Sequence, residues 1–281
     1  MNIILFFTNM CNFRCEHCYL GDLLDKKREY MDQDLFDRIM VLHNYFDAEK
    51  LIFSGGEPML LLDEIYAYIK RNKYSCNIPK VLCTNGYWGR DLNVQKIVWD
   101  LKSLYFTKIE LSVDGYHQKF AGIDECIIPI IRTANDCNMH VTVTICFKSI
   151  PEALPSIVKV SKVIKRREDI ILRPISKFGN AEKFNVSSDF SLYKKPRCTN
   201  LGNLCVDYNG NAFICCGPPI VSKNPNYSLG NVRLISNDLV HRNYMIRLLR
   251  AQRVIDGLRN LHTNEDYCSA CINQMESTVC Q

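Results

Sequence analysis

Long apolar runs are missing from this chain of 281 residues. The run Ile3-Ile-Leu-Phe-Phe7 is only five residues long, far short of the roughly 20 that a membrane span needs. There is no charged-then-apolar leader ending in a small-residue cleavage site. Neither a membrane partner nor export is therefore expected, and a cytoplasmic location is. Glycine and proline are not in excess, at 13 and 10 residues, which excludes collagen-like and low-complexity chains. No nucleic-acid-binding module is present, so no nucleic-acid partner is expected. No repeat is visible beyond an alternation of strand-like and helix-like segments.

Cysteine, by contrast, is plentiful: 15 residues. In a reducing compartment, clustered cysteines point to metal binding rather than to disulfides. The net charge is +5, with basic residues concentrated at 26–28, 162–167 and 247–259. Those stretches read as solvated helix faces, or as attraction for an acidic substrate or electron donor. Hydrophobic residues make up 47%, enough for a sizeable core.

Strand-like runs at 3–7, 50–53, 80–83, 108–113, 140–145 and 170–174 alternate with helical periodicity at 32–46, 61–71, 93–104, 124–137 and 153–166. In the first helix, Leu35, Phe36, Ile39, Met40 and Leu42 share one face, and Asp32 or Asp34 can cap it. Six βα units in succession predict parallel strands with right-handed crossovers. A closed barrel wants eight, so the expected fold is α/β, a partial (β/α)6 barrel over residues 1–176. From 177 to 281 the pattern changes to a small appendage. There Tyr208-Asn-Gly-Asn211 sits between two short apolar runs, 203–207 and 212–216, and signals a hairpin. A helix is expected at 238–260.

The chemistry-bearing motifs fall after strands, where parallel βα folds gather functional groups. Cys11, Cys15 and Cys18 follow the first strand with spacing Cys-x3-Cys-x2-Cys. Three thiolates can hold three irons of a [4Fe–4S] cluster and leave one open. Half of a structural zinc site is the other reading, with His17 close by. Ser54-Gly-Gly-Glu-Pro58 follows the second strand, Thr84-Asn-Gly86 the third, and Ser112-Val-Asp-Gly-Tyr-His117 ends the fourth. The glycines let backbone approach a ligand, and Glu57 can accept from an ammonium group. Turn capping is the alternative for Asn85, Ser112 and Asp114.

The triplet together with Gly55-Gly56-Glu57-Pro58 resembles the radical SAM superfamily. The resemblance implies that the open iron binds S-adenosylmethionine (SAM), with Gly55, Gly56, Glu57 and Pro58 at its methionyl amino group. It also implies Tyr19 beside the adenine, Asn85 lining the site, and Ser112 and Asp114 near the ribose and methionyl carboxylate. In the appendage, Cys198, Gly210, Cys215 and the pair Cys268-x2-Cys271 resemble the Twitch/SPASM pattern. That implies a C-terminal iron–sulfur domain with a second, auxiliary [4Fe–4S] cluster on Cys198, Cys215, Cys268 and Cys271. Cys205 and Cys280 are rival ligands, and zinc suits four thiolates as well. Positions 277 and 281, where a full SPASM domain has further cysteines, are Ser277 and Gln281.

Cys216 directly follows Cys215. Adjacent side chains on an extended chain point to opposite sides, so Cys216 is expected not to share the cluster. It is either an inert thiol or a hydrogen-atom donor. Asn85-Gly-Tyr-Trp-Gly89, Ser112 to His117, Pro174 with Gly179 and Ala181, and Gly210 to Pro218 resemble the epipeptide-type peptide epimerases. In that family the second cysteine of such a pair returns hydrogen to a substrate Cα. The resemblance implies a peptide substrate, L-to-D epimerisation with Cys216 as catalytic donor, and a reduced flavodoxin or ferredoxin-like electron donor. With no leader-binding segment recognised before Cys11, the barrel or the appendage is expected to recognise the peptide. A Twitch-type dehydrogenase or cross-linking enzyme is the alternative; it would need no thiol donor.

Overall fold

A computed structural model describes residues 1–24, 29–184, 201–217, 227–258 and 267–277. The strands β1 (Asn2–Thr8), β2 (Lys50–Gly55), β3 (Lys80–Thr84), β4 (Phe106–Ser112), β5 (His140–Phe147) and β6 (Ile170–Pro174) fall at the expected places. Between them run α1 (Gln33–Tyr45), α2 (Leu62–Arg71), α3 (Val94–Ser103), α4 (Ile128–Asp136) and α5 (Ile150–Val160). A π-helical turn, Ile123–Ile127, leads into α4. The six strands are parallel and in sequential order.

The sheet does not stop at β1. The strand β7 (Leu204–Asp207) lies parallel beside it, and β8 (Asn211–Phe213) and β9 (Ser228–Asn231) follow antiparallel, giving nine strands. β7 and β8 form the hairpin around the Asn-Gly turn. The second strand ends at Phe213, so Cys215 and Cys216 lie beyond it. β9 carries no strong sequence signal, and pairing with β8 forms it. Two helices complete the described chain, α6 (Asn237–Leu258) and α7 (Tyr267–Ser277). The second was not expected, and it carries Cys268 and Cys271 one turn apart. None of the helices among the described residues is long and apolar enough to cross a membrane.

Alternation along β1 sorts the two faces of the sheet. Ile3, Leu5 and Phe7 join the main core with Leu35, Phe36, Ile39 and Met40 of α1. Each such fully buried side chain contributes about 1.5–3 kcal/mol. Ile4 and Phe6 face the other way, the inner face, in a small cluster with Leu20, Cys205 and Phe213. The α1 cap is Asp32, whose Oδ1 accepts from Leu35 N at 2.8 Å; such a cap contributes about 1 kcal/mol.

At the start of β3, Lys80 is completely buried. Its ammonium donates to the carbonyls of Ser75 (2.6 Å) and Ile78 (2.8 Å), tying the α2–β3 connection to the sheet. Burial lowers its pKa from 10.5 to about 8. Between about pH 8 and 10.5 the unfolded chain therefore binds the proton that the folded chain has released, and stability rises with pH through this window. The full window corresponds to about 3 kcal/mol. In urea titrations from pH 7.5 to 10, wild type is expected to gain stability relative to Lys80→Met as pH rises. A pH-independent difference would show that Lys80 keeps an ordinary pKa.

Candidate functional site

The loop that follows β1 brings Cys11, Cys15 and Cys18 together. Its shape is set by short-range bonds: Cys18 N donates to Cys15 O (3.2 Å), and the Arg14 guanidinium donates to the carbonyls of Cys11 (2.7 Å) and Phe13 (2.8 Å). Backbone N–H groups aim at the sulfurs. Phe13 N donates to Cys11 Sγ at 3.4 Å, and the amides of Leu20 and Gly21 donate to Cys18. Burial, above all, pushes the Cys11 thiol up to about 11 and raises Cys15 and Cys18 as well; Cys15 is raised further by the other two. Three sulfurs that repel one another as anions, one buried and two half-buried, with amide donors on two of them, suit a bound cationic iron centre. The donor set fits the first [4Fe–4S] cluster.

The second loop packs on the first. Gly56 N donates to Thr8 O (2.8 Å) and Glu57 N to Met10 O (2.7 Å). A Cβ on Gly56 would lie 1.9 Å from Met10 O, and one on Gly55 (φ +122°) 2.5 Å from Thr8 O. The glycines are thus required by the approach of this loop to the cysteine loop. This backbone-to-backbone contact is a second demand on the two glycines, beside the ligand approach expected of them. Pro58 is buried at the first position of a 3₁₀ turn, Pro58–Leu61, which Glu57 caps through Met59 N (3.0 Å).

Glu57 is only 2% exposed. Its Oε1 also accepts from Thr84 Oγ1 (2.7 Å) and its Oε2 from Asn85 N (2.7 Å), while burial raises its pKa. Asn85 in turn donates from Nδ2 to Asn12 Oδ1 at 2.8 Å, so the β3 loop also grips the cysteine loop. Ser112 ends β4 half-buried, opposite Thr144.

Asp114 is fully buried, and its Oδ1 accepts from Tyr116 N (3.1 Å), His117 N (3.1 Å) and His117 Nδ1 (2.9 Å). Its Oδ2 lies 3.4 Å from His17 Nε2. Burial works to raise its pKa, but His117 and His17 hold it below the ordinary carboxylate value. His17 is driven down to about 4 by burial, so it is neutral at physiological pH. The carboxylate anchors its own turn and reaches the cysteine loop through His17. That link was not foreseen; the signal was a histidine between two ligand cysteines and an aspartate after β4. From the far side, Asn180 donates to Cys18 O (3.0 Å) and Cys15 O (3.1 Å).

Tyr19 turns away from this polar network into the inner apolar cluster, near Cys216, Cys18, Cys205 and Cys83, and burial raises its pKa strongly. Cys216 packs on the same cluster, where the neighbouring Cys205 thiol lowers its pKa against burial, while burial raises that of Cys205 strongly. Cys215 packs instead with the main core and accepts from Gly217 N at 3.4 Å. Cys215, Cys268 and Cys271 surround the Tyr227 hydroxyl, which stands 3.8 Å from Cys271 Sγ. Three of the four expected auxiliary ligands therefore converge. Cys198, Pro218 and Cys280 lie outside the described residues.

The inner face also carries charge that the sequence reading missed. Lys108 pairs with Glu110 Oε1, and Cys83 Sγ lies 3.5 Å from Glu110 Oε2. Each sits in an ordinary-looking strand; only the pairing of β3 with β4, Cys83 opposite Glu110, brings them together. A cavity of about 360 Å³ opens beside β1 and β7, lined by Phe6, Asn9, Leu20, Asp207, Phe213 and Ser228 among others.

Comparison with known proteins agrees with this geometry. Uncharacterized protein MJ0907 of Methanocaldococcus jannaschii is 32% identical over 118 residues, covering 41% of this chain and 38% of that protein. GTP 3′,8-cyclase of Helicobacter pylori (strain HPAG1) is 30% identical over 112 residues, covering 38% of this chain and 33% of the enzyme. The chain thus spans about a third to two-fifths of the length of these curated relatives. Among solved structures, Streptococcus suis SuiB bound to precursor peptide SuiA has a similar fold (TM-score 0.60, 15% identity, 96% of this chain and 69% of that one). So does native anSMEcpe with bound AdoMet (TM-score 0.58, 14% identity, 99% of each chain). The family model of the Radical SAM superfamily matches residues 5–148, more than half of the 281, and the chain belongs to that superfamily.

Proposed function

We propose that this radical SAM enzyme epimerises L- to D-residues in a ribosomally made peptide. The observation that carries the proposal is the position of Cys216. Its thiol packs on the inner-face cluster of Ile4, Phe6, Leu20 and Phe213, while its neighbour Cys215 packs with the main core and stands with Cys268 and Cys271 near the Tyr227 hydroxyl.

Reductive cleavage of SAM at a [4Fe–4S] cluster supplies a carbon radical able to take hydrogen from a peptide Cα. The residues assigned to hold these groups are Cys11, Cys15 and Cys18 for the cluster, with Gly55, Gly56, Glu57, Pro58, Asn85, Ser112 and Asp114 around SAM. Tyr19 walls the site on its apolar side. Cys216 then breaks its S–H bond and delivers the hydrogen to the face opposite the one that lost it. The peptide ends with the same atoms it began with and the opposite configuration. Cys198, Cys215, Cys268 and Cys271 are assigned to an auxiliary cluster in a C-terminal unit over 177–281.

The fold likeness to SuiB, seen with a precursor peptide, and to anSMEcpe, also seen with a peptide, supports a peptide substrate. A reduced flavodoxin or ferredoxin-like protein is the proposed electron source; the net charge of +5 favours an acidic partner. All thirteen described cysteines are free of disulfides, in keeping with a reducing, cytoplasmic setting.

Reduced enzyme, SAM and a candidate peptide in D2O are expected to give a peptide with one deuterium at Cα and no other mass change. Loss of two hydrogens would instead establish a dehydrogenase or cross-linking enzyme. Cys216→Ala is expected to lose epimerisation while still forming 5′-deoxyadenosine, and full epimerisation by this variant would remove Cys216 from the donor role.

Iron and sulfide counts test the ligand sets. Reconstituted wild type is expected to hold about eight of each, and a count of about four would eliminate the auxiliary cluster. Gly56→Ala places a methyl 1.9 Å from Met10 O and is expected to cut iron by roughly half and abolish SAM cleavage, with the far-UV spectrum retained. Normal iron in this variant would show that the cysteine loop tolerates displacement.

A further inference from the structure

The cavity of about 360 Å³ beside β1 and β7 has no part in the chemistry assigned above. Its size is near the lower end for ligand pockets, about 300–1,000 Å³. Phe6, Leu20 and Phe213 form its apolar wall, and these are also side chains on which Cys216 packs. The cavity and the thiol thus share one wall.

The other wall is polar and rich in acceptors. Asp207 is the register partner of Phe6 across β7 and β1, so both side chains stand on the inner face. Its carboxylate takes three donors, all from its own turn: Asn209 N (2.9 Å) and Asn211 N (2.8 Å) on Oδ1, and Asn211 Nδ2 (2.9 Å) on Oδ2. Two carboxylate oxygens offer about four acceptor sites, which leaves Oδ2 able to take another donor. Asn9, only 5% exposed, lines the same cavity. Its Nδ2 donates to Glu29 Oε2 at 3.2 Å, which fixes the sense of the amide, because the reverse would set oxygen against carboxylate. Its Oδ1 is buried with no hydrogen-bond partner. Among the described residues, no lysine, arginine or histidine lines the cavity or forms an ion pair with Asp207. In a chain of net charge +5, this wall is a local excess of acceptors without donors.

We propose that the cavity is a subsite for a lysine or arginine side chain of the peptide. The proposal rests on the peptide substrate and the donor role of Cys216 set out above. The aliphatic stem lies along Phe6, Leu20 and Phe213, and the charged head reaches Asp207 and Asn9. The head supplies the counter-charge that Asp207 lacks and a donor for Asn9 Oδ1. Because the wall under the stem is shared with Cys216, a basic residue seated here holds a neighbouring residue of the peptide at the thiol. A carboxylate side chain is repelled by Asp207, and a purely aliphatic one leaves both acceptors without a donor.

Two binding experiments on the full-length reconstituted enzyme test this without turnover. In the first, the melting temperature is followed anaerobically in titrations with Nα-acetyl-lysine amide, Nα-acetyl-arginine amide and Nα-acetyl-norleucine amide. The two basic probes are expected to stabilise the protein at concentrations at least about tenfold lower than the neutral one. An equal response to norleucine would overturn the cation preference, and no response to the basic probes would overturn the subsite. In the second, the cation is built into the wall at Ser228, which lines the cavity from β9. Ser228→Lys is expected to melt higher than Ser228→Met and to stop responding to the lysine probe. Asp207→Asn is expected to erase the difference between the two. Asp207 also braces the Asn-Gly turn, but that cost falls equally on both arms of the cycle. Ser228→Met melting as high as Ser228→Lys, or a difference that survives Asp207→Asn, would overturn the proposal.

The part played in the reaction is read in D2O. In a peptide that the enzyme epimerises, replacing the seated basic residue by norleucine is expected to raise KM at least about tenfold with kcat little changed. An unchanged KM after replacement of each lysine and arginine in turn would overturn that part. Saturable binding of the lysine probe by an enzyme that makes no D-residue would leave the subsite standing and remove the epimerase reading.

Discussion

The contact on which the site depends is between two stretches of backbone. Gly56 and Glu57 donate to Thr8 O and Met10 O with no space between the chains for even one methyl group. Through it, the end of β2 fixes the height and tilt of the cysteine loop at the end of β1. Parallel pairing of β1 with β2 makes this possible, because it brings both carboxyl ends to the same edge of the sheet. Other grips then reach the same loop: Asn85 from β3 through Asn12, Asp114 from β4 through His17, and Asn180 from beyond β6. Four strands thus converge on one short segment. A metal centre with three protein ligands needs such bracing, since it lacks a fourth ligand to close the geometry.

Glu57 shows how one residue serves several levels. It caps the turn after β2, takes the β3 hydroxyl of Thr84, and takes the amide of Asn85. A buried carboxylate with these donors is held in one orientation, and burial still raises its pKa. Any cationic group brought beside it relieves that cost, as pairing does for buried charges in general. The same logic applies to Asp114, except that its histidine neighbours already offset the burial.

The sequence made the strands, their order and the cysteine triplet legible because these are local signals. The 2.0 and 3.6 periodicities, a three-residue gap between cysteines and an Asn-Gly turn each lie within a few residues. Asp32 as a helix cap was readable for the same reason. What escaped depends on residues far apart in the chain. The purpose of the two glycines appears only when the loops after β1 and β2 meet. β9 exists only through its pairing with β8, and the Lys108–Glu110–Cys83 group only through the register of β3 with β4. The split between Cys215 and Cys216 was anticipated from strand alternation, yet both lie past the end of β8. The sheet edge, rather than the pleat, sends one to the core and the other to the inner face.

The inner face also bears on which thiol can act as donor. Three cysteines, Cys83, Cys205 and Cys216, lie near one another around Tyr19. Cys83 has a carboxylate oxygen of Glu110 as partner at 3.5 Å, which occupies its hydrogen. Cys205 is completely buried, and burial raises its pKa strongly. Cys83 and Cys205 are fixed in β3 and β7, whereas Cys216 lies past the end of β8 and is partly exposed. The arrangement thus separates chemically identical groups by position in the fold. Apolar packing by Ile4, Phe6, Leu20 and Phe213 lies against Cys216, with Tyr19 in the same cluster and the charges of Arg173 and Glu110 within reach. In the proposed reaction this difference in position, rather than in chemistry, singles out Cys216 for hydrogen return.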